Sequence, residues 1–392
     1  MAIKLQKSTF LEEEKTKGEL CDFILKSDKL SMSDECAKFE LNFSDKQKRK
    51  YSVFVNSGSS ANLILIQALL NLKILNKGDT VAVSSVTWAT NIMPLIQLGL
   101  HVHFVDCEVN TLNVSRATLE NALNDNKNIK ALFLTNALGL ADDINNIQKF
   151  CSDNEILLLE DNCESLGTRV QNKLLGNYGL ASTFSFFVGH HISCIEGGMV
   201  ATDNFELYCQ LVMIRAHGWD RSLPKEEQNR LRAKFGIDDF YSTYTFYNLG
   251  FNVRPTEING FLGNNQIKHW DFIVKKRHEN FIYLNTIIES NIKLIPIKHN
   301  HISEISSFAI PVIAKEREDF DALKELFVSN DVEIRPMIAG NISSQPFLKE
   351  FCNNIPPLKN SNFVHNNSFY FGNNPEITKD ELLFLGELLA NF

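Results

Sequence analysis

Residues 51–72, YSVFVNSGSSANLILIQALLNL, contain the pattern that decides the fold. The first six residues are rich in β-branched and aromatic side chains, which predicts a buried strand. SGSS follows as a turn, and ANLILIQALLNL has the apolar spacing of a helix. A strand that passes through a glycine-serine turn directly into a helix is the first half of a β-α-β unit.

The same alternation continues through the next hundred residues. Apolar runs at 80–85, 101–106, 129–136 and 155–161 predict strands. Segments with helical spacing separate them, and these are TNIMPLIQLG, SRATLENALN and INNIQKFCSDN. This spacing predicts an α/β fold with a mostly parallel sheet, whose functional groups gather beyond the carboxyl ends of the strands.

The chain changes style after about residue 256. We predict a long helix over about 256–288, then strands at FAIPVIA and VEIRP, with helices at FDALKELFVSN and KDELLFLGELLANF. Before it, 220–245 forms a long charged excursion. The predicted organisation is a segment 1–49 that packs with the small domain, a large domain 50–255, and a small α+β domain 256–392.

Composition excludes several classes of protein. The net charge of −8, from 39 Lys+Arg against 47 Asp+Glu, leaves no basic surplus for nucleic acid. The eight cysteines are scattered without C-x-x-C or Cys/His ligand spacing, as in proteins of a reducing compartment. We find no apolar run of membrane-spanning length and no leader-like segment, so we expect a cytoplasmic protein.

Three predicted strand ends carry side chains of special chemistry. NSGSSAN (56–62) offers a glycine, Gly58, and free amides for a phosphate, or is a capped helix start without a ligand. LLLEDNCES (157–165) ends in Glu160 and Asp161, which either bind a cationic group or cap the next element. SSVTWAT places Trp88 at the same edge, to stack on a planar ring or to fill the core.

Together these three ends favour an aromatic, phosphorylated cofactor with a protonated nitrogen, and pyridoxal phosphate fits each part. A pair of adjacent histidines, His190 and His191, lies in SFFVGHHISCIEGGMV (185–200). Adjacent residues rarely point at one ion, and no further Cys/His ligand spacing is present, so we predict no metal at this pair.

Six ordered motifs resemble the DegT/DnrJ/EryC1/StrS family of nucleotide-sugar aminotransferases. They are NSGSSANL, VSSVTWATNIMPLIQLG…FVD, LLEDNCESLG, FSFF…EGGMV, IRAHGWDR and GFNVRPTEINGFLGNNQI. The resemblance implies the aspartate aminotransferase-like fold (fold type I) and a pyridoxal or pyridoxamine phosphate cofactor. Family aminotransferases carry their cofactor-bonding lysine six residues before the Glu of the E-G-G turn. Here that position is His190, and FFVGHHISCIEGG contains no lysine.

A histidine at this position marks, within the family, the 3-dehydratases of 3,6-dideoxysugar synthesis. One type uses an iron–sulfur cluster, and the other is recharged by L-glutamate. Only Cys194, Cys209 and Cys352 follow His190, and they are too widely spaced for a four-thiolate cluster. The resemblance therefore implies the glutamate type, which acts on GDP-4-keto-6-deoxymannose on the way to colitose.

Three alternatives remain open at this point. The substrate is a GDP-linked hexose or a GDP-4-keto-6-deoxyheptose. The chain is instead an aminotransferase that forms a 4-amino sugar, if another lysine holds the cofactor. A catalytically idle cofactor-binding regulator is the third reading.

The resemblance also implies roles for individual residues. His190 is the catalytic base. The residues that it assigns to the cofactor are Gly58, Ser59 and Ser185 at the phosphate, Trp88 over the ring, Asp161 at the ring nitrogen, Glu164 near the ring hydroxyl, and Asn252 across a dimer interface. His217 and Arg221 are candidates for glutamate carboxylates or the sugar, and His191 is a supporting residue. The expected assembly is a homodimer or a tetramer of such dimers.

Overall fold

The computed structural model describes residues 2–352 and 355–392. The strands are β1 (Tyr51–Val55), β2 (Thr80–Ser84), β3 (His101–Val105), β4 (Ile129–Thr135), β5 (Leu157–Asp161), β6 (Arg169–Val170), β7 (Lys173–Leu174), β8 (Ala181–Ser185), β9 (Gly198–Thr202), β10 (Ile302–Glu304), β11 (Ala309–Ile313), β12 (Ile334–Pro336) and β13 (Ser368–Gly372).

Helices surround these strands. They are α1 (Glu13–Lys26), α2 (Asp34–Gln47), α3 (Gly58–Asn71), α4 (Met93–Gln97), α5 (Arg116–Asp125), α6 (Ile144–Asp153), α7 (Phe205–Ile214), α8 (Lys225–Phe235), α9 (Glu257–Gln266), α10 (Trp270–Ser290), α11 (Arg317–Ser329), α12 (Leu348–Phe351), α13 (Lys359–Asn367) and α14 (Lys379–Ala390). Short 3-10 turns lie at Ala89–Asn91, Ala137–Gly139, Tyr241–Tyr244, Ile267–His269 and Ile342–Ser344.

The central sheet has seven strands in the order β1-β9-β8-β5-β4-β2-β3. Strands β3, β2, β4, β5 and β8 pair in parallel, while β9 runs antiparallel between β8 and β1. The predicted mostly parallel α/β sheet is confirmed, with strand ends that differ by one or two residues. Because β1 is parallel to β8, the carboxyl ends of β1, β2, β4, β5 and β8 lie along one edge.

The sheet is buried on both faces, as expected for parallel strands. Successive residues of β2 alternate between two cores: Val81 and Val83 pack with α3, and Ala82 packs on the opposite side. This two-sided burial explains why the strands appear in the sequence as continuous apolar runs.

A second sheet of three antiparallel strands, β11-β13-β12, lies in the C-terminal part. The start of the chain contacts it, since Ile3 pairs with Val332 and the Leu5 N–H donates to Glu333. Helix α2, in contrast, packs on α9 and on β1 of the central sheet, so the packing of residues 1–49 as a whole on the small domain stays a prediction. The boundary at 255–256 stays a prediction.

The prediction of one continuous helix over 256–288 is wrong. The chain forms α9 and α10, separated by a 3-10 turn at Ile267–His269. Because α9 packs on α2 while α10 packs on α14 and β11, the chain changes direction between them. Gly260 and Gly263 permit the first contact: a Cβ on Gly260 would lie 2.5 Å from the Cys36 nitrogen.

The charged excursion at 220–245 contains α8, which has no buried residue, and one 3-10 turn. Within residues 2–352 and 355–392, we find no helix with the length and apolar character that crossing a membrane requires.

Candidate active site

A cavity of about 390 Å³ opens at the carboxyl edge of the central sheet, and we call it the sheet-edge cavity. Its walls come from the ends of β1, β4, β5 and β8, from the turn after β2, and from the C-terminal part of the chain. Seven predicted site residues line it together: Gly58, Ser59, Trp88, Asp161, Glu164, Ser185 and His190. Asn252, His217 and Arg221 do not line it.

The glycine-serine turn after β1 begins helix α3 at the floor of this cavity. The Ser57 hydroxyl caps the helix by accepting the Ser60 N–H at 3.1 Å, so the predicted cap is present. A Cβ on Gly58 would lie 2.7 Å from the Cβ of Ser185, so only glycine allows this close approach. Because the first turn of a helix has no preceding carbonyls to bind, the N–H groups of Gly58 and Ser59 lack intrahelical partners, which suits an anion such as phosphate.

Asp161 lies at the end of β5 and is 5% exposed. Its Oδ2 accepts from the side-chain amides of Asn62 at 3.0 Å and Asn91 at 2.7 Å, and its Oδ1 accepts the Cys163 N–H at 2.9 Å. Within the described chain no Lys, Arg or His nitrogen lies within 4.0 Å of this carboxylate. A buried carboxylate held by three N–H donors, without a cation, fits the protonated nitrogen of a heterocyclic ring.

Its neighbour Glu160 has a structural role. The buried carboxylate accepts the N–H groups of Gly176, Tyr178 and Gly179 at 2.7–2.8 Å. These bonds hold the turn before β8, so the Glu160 carboxylate serves the backbone, while Asp161 both accepts the Cys163 N–H and lines the cavity.

Glu164 is half-buried in the wall of the cavity. Its Oε2 accepts the Leu138 N–H at 2.8 Å, and Leu138 adopts a left-handed backbone conformation with φ 55°. Burial, together with the nearby Asp161 charge, raises the pKa of Glu164 to about 8. This carboxyl group therefore holds its proton at neutral pH, unlike an ordinary glutamate.

His190 lies in the connection between β8 and β9, at the mouth of the same edge. Its Nδ1 is 2.6 Å from the carbonyl oxygen of Cys163. Because a carbonyl only accepts, Nδ1 carries the hydrogen and the neutral ring keeps a lone pair on Nε2. Burial lowers the pKa of His190 to about 4, so the imidazole is an unprotonated base at neutral pH.

His191 points to a different part of the chain. Its Nε2 lies 2.8 Å from the carbonyl oxygen of Ser306, and burial lowers the pKa of this ring well below its ordinary value. Among the residues that the structure describes, no cluster of three His, Cys, Asp or Glu side chains could hold a metal ion. The two adjacent histidines therefore differ: His190 lines the sheet-edge cavity, and His191 is buried against Ser306.

Trp88 is 57% exposed and lines the cavity. The alternative that this tryptophan fills the core is therefore wrong. An exposed indole at the rim provides a flat face for a ring bound between it and the sheet.

Asn252 lies outside the cavity but close to its floor. Its Oδ1 accepts from Arg254 Nε at 2.9 Å, and the adjacent Val253 carbonyl accepts the Asn56 N–H at 3.0 Å. His217 and Arg221 both lie against Trp219. The ring centroids of His217 and Trp219 are 5.0 Å apart, and the Cζ of Arg221 is 4.1 Å from the Trp219 centroid.

Sequence reasoning missed several lining residues. Asn91 lines the cavity and lies inside a motif that was singled out. Asn62 does not line the cavity, but its side-chain amide, like that of Asn91, donates to Asp161. Phe308, Ile338 and Tyr370 come from the C-terminal part, and no motif marks them.

Comparison of the chain with known proteins identifies the class of protein to which this sheet and cavity belong. The chain belongs to the DegT/DnrJ/EryC1/StrS aminotransferase family, which it matches over residues 12–385. The predicted aminotransferase-like fold is thereby confirmed.

Within this family, the chain is similar to sugar 3-dehydratases at 36% identity and to aminotransferases such as the GDP-perosamine synthase of Vibrio cholerae at 26% identity. The chain is 36% identical to GDP-4-keto-6-deoxy-D-mannose 3-dehydratase of Escherichia coli O55:H7, over 93% of this chain and 94% of that protein. A crystal structure of a GDP-4-keto-6-deoxymannose-3-dehydratase mutant with bound GDP-perosamine has 34% identity and a TM-score of 0.91, covering 99% of this chain and 100% of that one. Another structure of this enzyme, with a trapped PLP-glutamate geminal diamine, has 33% identity and a TM-score of 0.90 at the same coverage.

Proposed function

We propose that this chain is a pyridoxamine phosphate-dependent 3-dehydratase of a GDP-4-keto-6-deoxy sugar, recharged by L-glutamate. One observation carries the proposal: the sheet-edge cavity contains the unprotonated imidazole of His190, and no lysine is among the described residues that line it. Without that amine the cofactor cannot be held covalently, and the base that moves protons is an imidazole.

The side chains present fit a pyridoxamine phosphate. Gly58, Ser59 and Ser185 would hold its phosphate, because the helix start and two hydroxyls converge where a Cβ on Gly58 would clash. Asp161 would keep the ring nitrogen protonated, and Trp88 would cover the ring face. When bound, this group supplies an amine and an electron-withdrawing ring that labilise the hydroxyl at carbon 3 of a 4-keto sugar.

His190 performs the proton transfers in this proposal. The Cys163 carbonyl holds Nδ1–H, so Nε2 is the atom that accepts a proton and later returns one. A protonated Glu164, which lines the same cavity, would present a neutral donor to the ring hydroxyl. The proposal assigns no proton transfer to His191, whose Nε2 is bonded to Ser306.

Three parts of the proposal concern the partners. L-Glutamate would transfer its amino group to the pyridoxal phosphate left by the dehydration, which restores pyridoxamine phosphate, and would leave as 2-oxoglutarate. His217 and Arg221 are candidates to bind its carboxylates or the sugar. The sugar is a hexose by default, with a 6-deoxyheptose as the alternative. Asn252, which lies outside its own chain's cavity, would reach the cofactor phosphate of a second subunit in a homodimer.

All eight cysteines are free, which supports the proposed cytoplasmic location.

The test is incubation of the holoenzyme with L-glutamate and GDP-4-keto-6-deoxymannose. We expect 2-oxoglutarate, ammonia and a sugar that has lost the carbon-3 hydroxyl, and GDP-4-keto-6-deoxyheptose is assayed in parallel. A stable 4-amino sugar would instead establish an aminotransferase. Borohydride reduction followed by peptide mapping should label no lysine in the pyridoxal phosphate form.

Replacement of the base itself gives a second test. His190→Asn should lower the dehydration rate by at least about 1,000-fold, because it removes the one imidazole among the described residues that line the cavity. Cofactor absorbance should persist, since none of the proposed phosphate ligands changes. Retained dehydration would contradict the assignment.

A further inference from the structure

The three residues Ser306–Phe308, which lie between β10 and β11, contact the base of the sheet-edge cavity, and we call them the 306–308 segment. The ring centroids of Phe308 and His190 are 5.2 Å apart, with 35° between the ring planes. The Phe308 N–H donates to the Leu138 carbonyl at 2.9 Å, and the Leu138 N–H in turn donates to Glu164. The segment therefore packs on one titratable group of the cavity and is linked to the other.

Two buried side chains hold the carbonyl groups of this segment. The Nε2 of His191 lies 2.8 Å from the Ser306 carbonyl oxygen. Arg277, on α10, donates from Nη1 to the carbonyl oxygens of Ser307 at 3.1 Å and Phe308 at 2.9 Å. One guanidinium group thus binds the backbone on both sides of the peptide that carries the Phe308 ring.

Arg277 differs from the other buried arginines of the described residues. It is 4% exposed, and its remaining hydrogen bond goes to the Asn373 carbonyl at 2.6 Å. Arg49 and Arg215 each pair with a carboxylate, whereas no carboxylate of the described residues lies within 4.0 Å of Arg277. Burial lowers the pKa of Arg277 to about 9, so the group is still a cation at neutral pH. A buried cation without an anion opposes any second positive charge nearby.

We infer that Arg277 is a positioning residue for the base: it fixes the Phe308 ring against His190, and its charge disfavours a second cation on that imidazole. The inference rests on the proposed function only in naming His190 the base. Loss of the guanidinium frees two carbonyls of the 306–308 segment, so the Phe308 ring is no longer held against the imidazole. A displaced ring also lets water reach the base, which favours its protonated form.

The charges that face His190 come from several elements. Burial lowers the pKa of His190. The Cys163 carbonyl and the Asp161 carboxylate raise it, and the Arg277 charge lowers it. The other titratable groups around the ring are Glu164 and Glu196 at the sheet-edge cavity, the adjacent His191, and the Arg335–Glu333 ion pair with Glu376 at a second cavity that His190 also lines. Without Arg277 the Asp161 charge acts unopposed, so the pKa of His190 rises toward its ordinary value.

The test is a titration by NMR of the apoenzyme, labelled with ¹³C at the histidine Cε1 atoms. The His190 signal is assigned from its absence in His190→Asn. In the wild type this signal should keep the position of a neutral ring down to about pH 5. In Arg277→Met its midpoint should rise by about one pH unit or more, and in Arg277→Lys, which keeps the charge, by less. A His190 titration that is unchanged in Arg277→Met would overturn the inference.

Two further variants keep the titration decisive. Arg49→Met is the matched control, because Arg49 is buried and donates to the Gly176 and Gly179 carbonyls but lines neither cavity. It should lower stability without moving the His190 signal. Phe308→Leu serves if Arg277→Met does not fold, since loss of the ring should raise the same midpoint, and an unchanged midpoint there would also contradict the inference.

Single-turnover dehydration by the holoenzyme gives a second measurement. At pH 8, where the imidazole is neutral in every variant, Arg277→Met and Phe308→Leu should each lower the rate about tenfold or more, because the base is misplaced. The double variant should be no slower than the slower single variant, since Arg277 acts through Phe308. Additive losses would overturn that route. If the wild type does not dehydrate the sugar, the proposed function fails, while the NMR titration still decides the role of Arg277.

Discussion

At the scale of single residues, the His190 imidazole owes its chemistry to one backbone carbonyl and to burial. The Cys163 carbonyl assigns the hydrogen to Nδ1, and burial lowers the pKa of the ring to about 4. We therefore expect the single-turnover dehydration rate to show no decrease as the pH falls through 6.5. A pH–rate profile from pH 5 to 8 checks this, and a limb at the ordinary histidine pKa would contradict it.

Glu164 gives the second prediction at this scale. Its pKa is raised from 4.5 to about 8, so between these values the unfolded chain loses a proton that the folded chain keeps. Each pH unit in this window then lowers the free energy of unfolding by up to about 1.4 kcal/mol. Glu164→Gln removes this dependence.

The apoenzyme is the form in which to measure it. Relative to the wild type, Glu164→Gln should gain roughly 2–4 kcal/mol of unfolding free energy between pH 5 and pH 8 in urea titrations. The exposed Glu226 of α8 offers a surface control, Glu226→Gln. A difference between Glu164→Gln and wild type that stays constant with pH would show that the Glu164 carboxyl ionises normally.

At the scale of elements, the β1–α3 junction depends on one glycine. A Cβ on Gly58 would press on Ser185 at 2.7 Å and separate the helix start from β8. Gly58→Ala should raise the Kd of the cofactor by about tenfold or more, measured by absorbance titration. Gly18→Ala in the exposed helix α1, with no atom within 4 Å of the added Cβ, should leave cofactor binding unchanged.

At the scale of the whole molecule, Asn252 distinguishes shared from separate sites. If Asn252 serves the cavity of a partner subunit, each active site takes His190 from one subunit and Asn252 from the other. A mixed dimer of His190→Asn and Asn252→Ala subunits then has one site with both changes and one site with neither. Mixing and refolding the two inactive variants should then restore roughly one quarter of wild-type activity, because half of the random dimers are mixed and each has one intact site. No recovery would place Asn252 in its own chain's site.

Much of the fold and part of the site followed from local patterns. The apolar runs from 51 to 161 predicted five strands of the central sheet because both faces of a parallel sheet are buried. Strands β8 and β9 were missed, although ASTFS and GMVAT flank the histidine motif, since their antiparallel pairing is not visible in a short run. The helix over 256–288 was predicted as unbroken. The chain bends between α9 and α10 because the two helices pack on different elements, and the local sequence does not show those contacts.

The sequence by itself determined the class of fold, the residue types at the strand ends and the absence of lysine before the E-G-G turn. These depend on neighbours within a few residues, so periodicity and motif spacing reveal them. Only the tertiary structure decided that His190 is a neutral base, that Glu164 keeps its proton and that Glu160 is structural. These properties arise from burial and from hydrogen bonds to distant segments such as Leu138 and Gly176, which no local pattern contains.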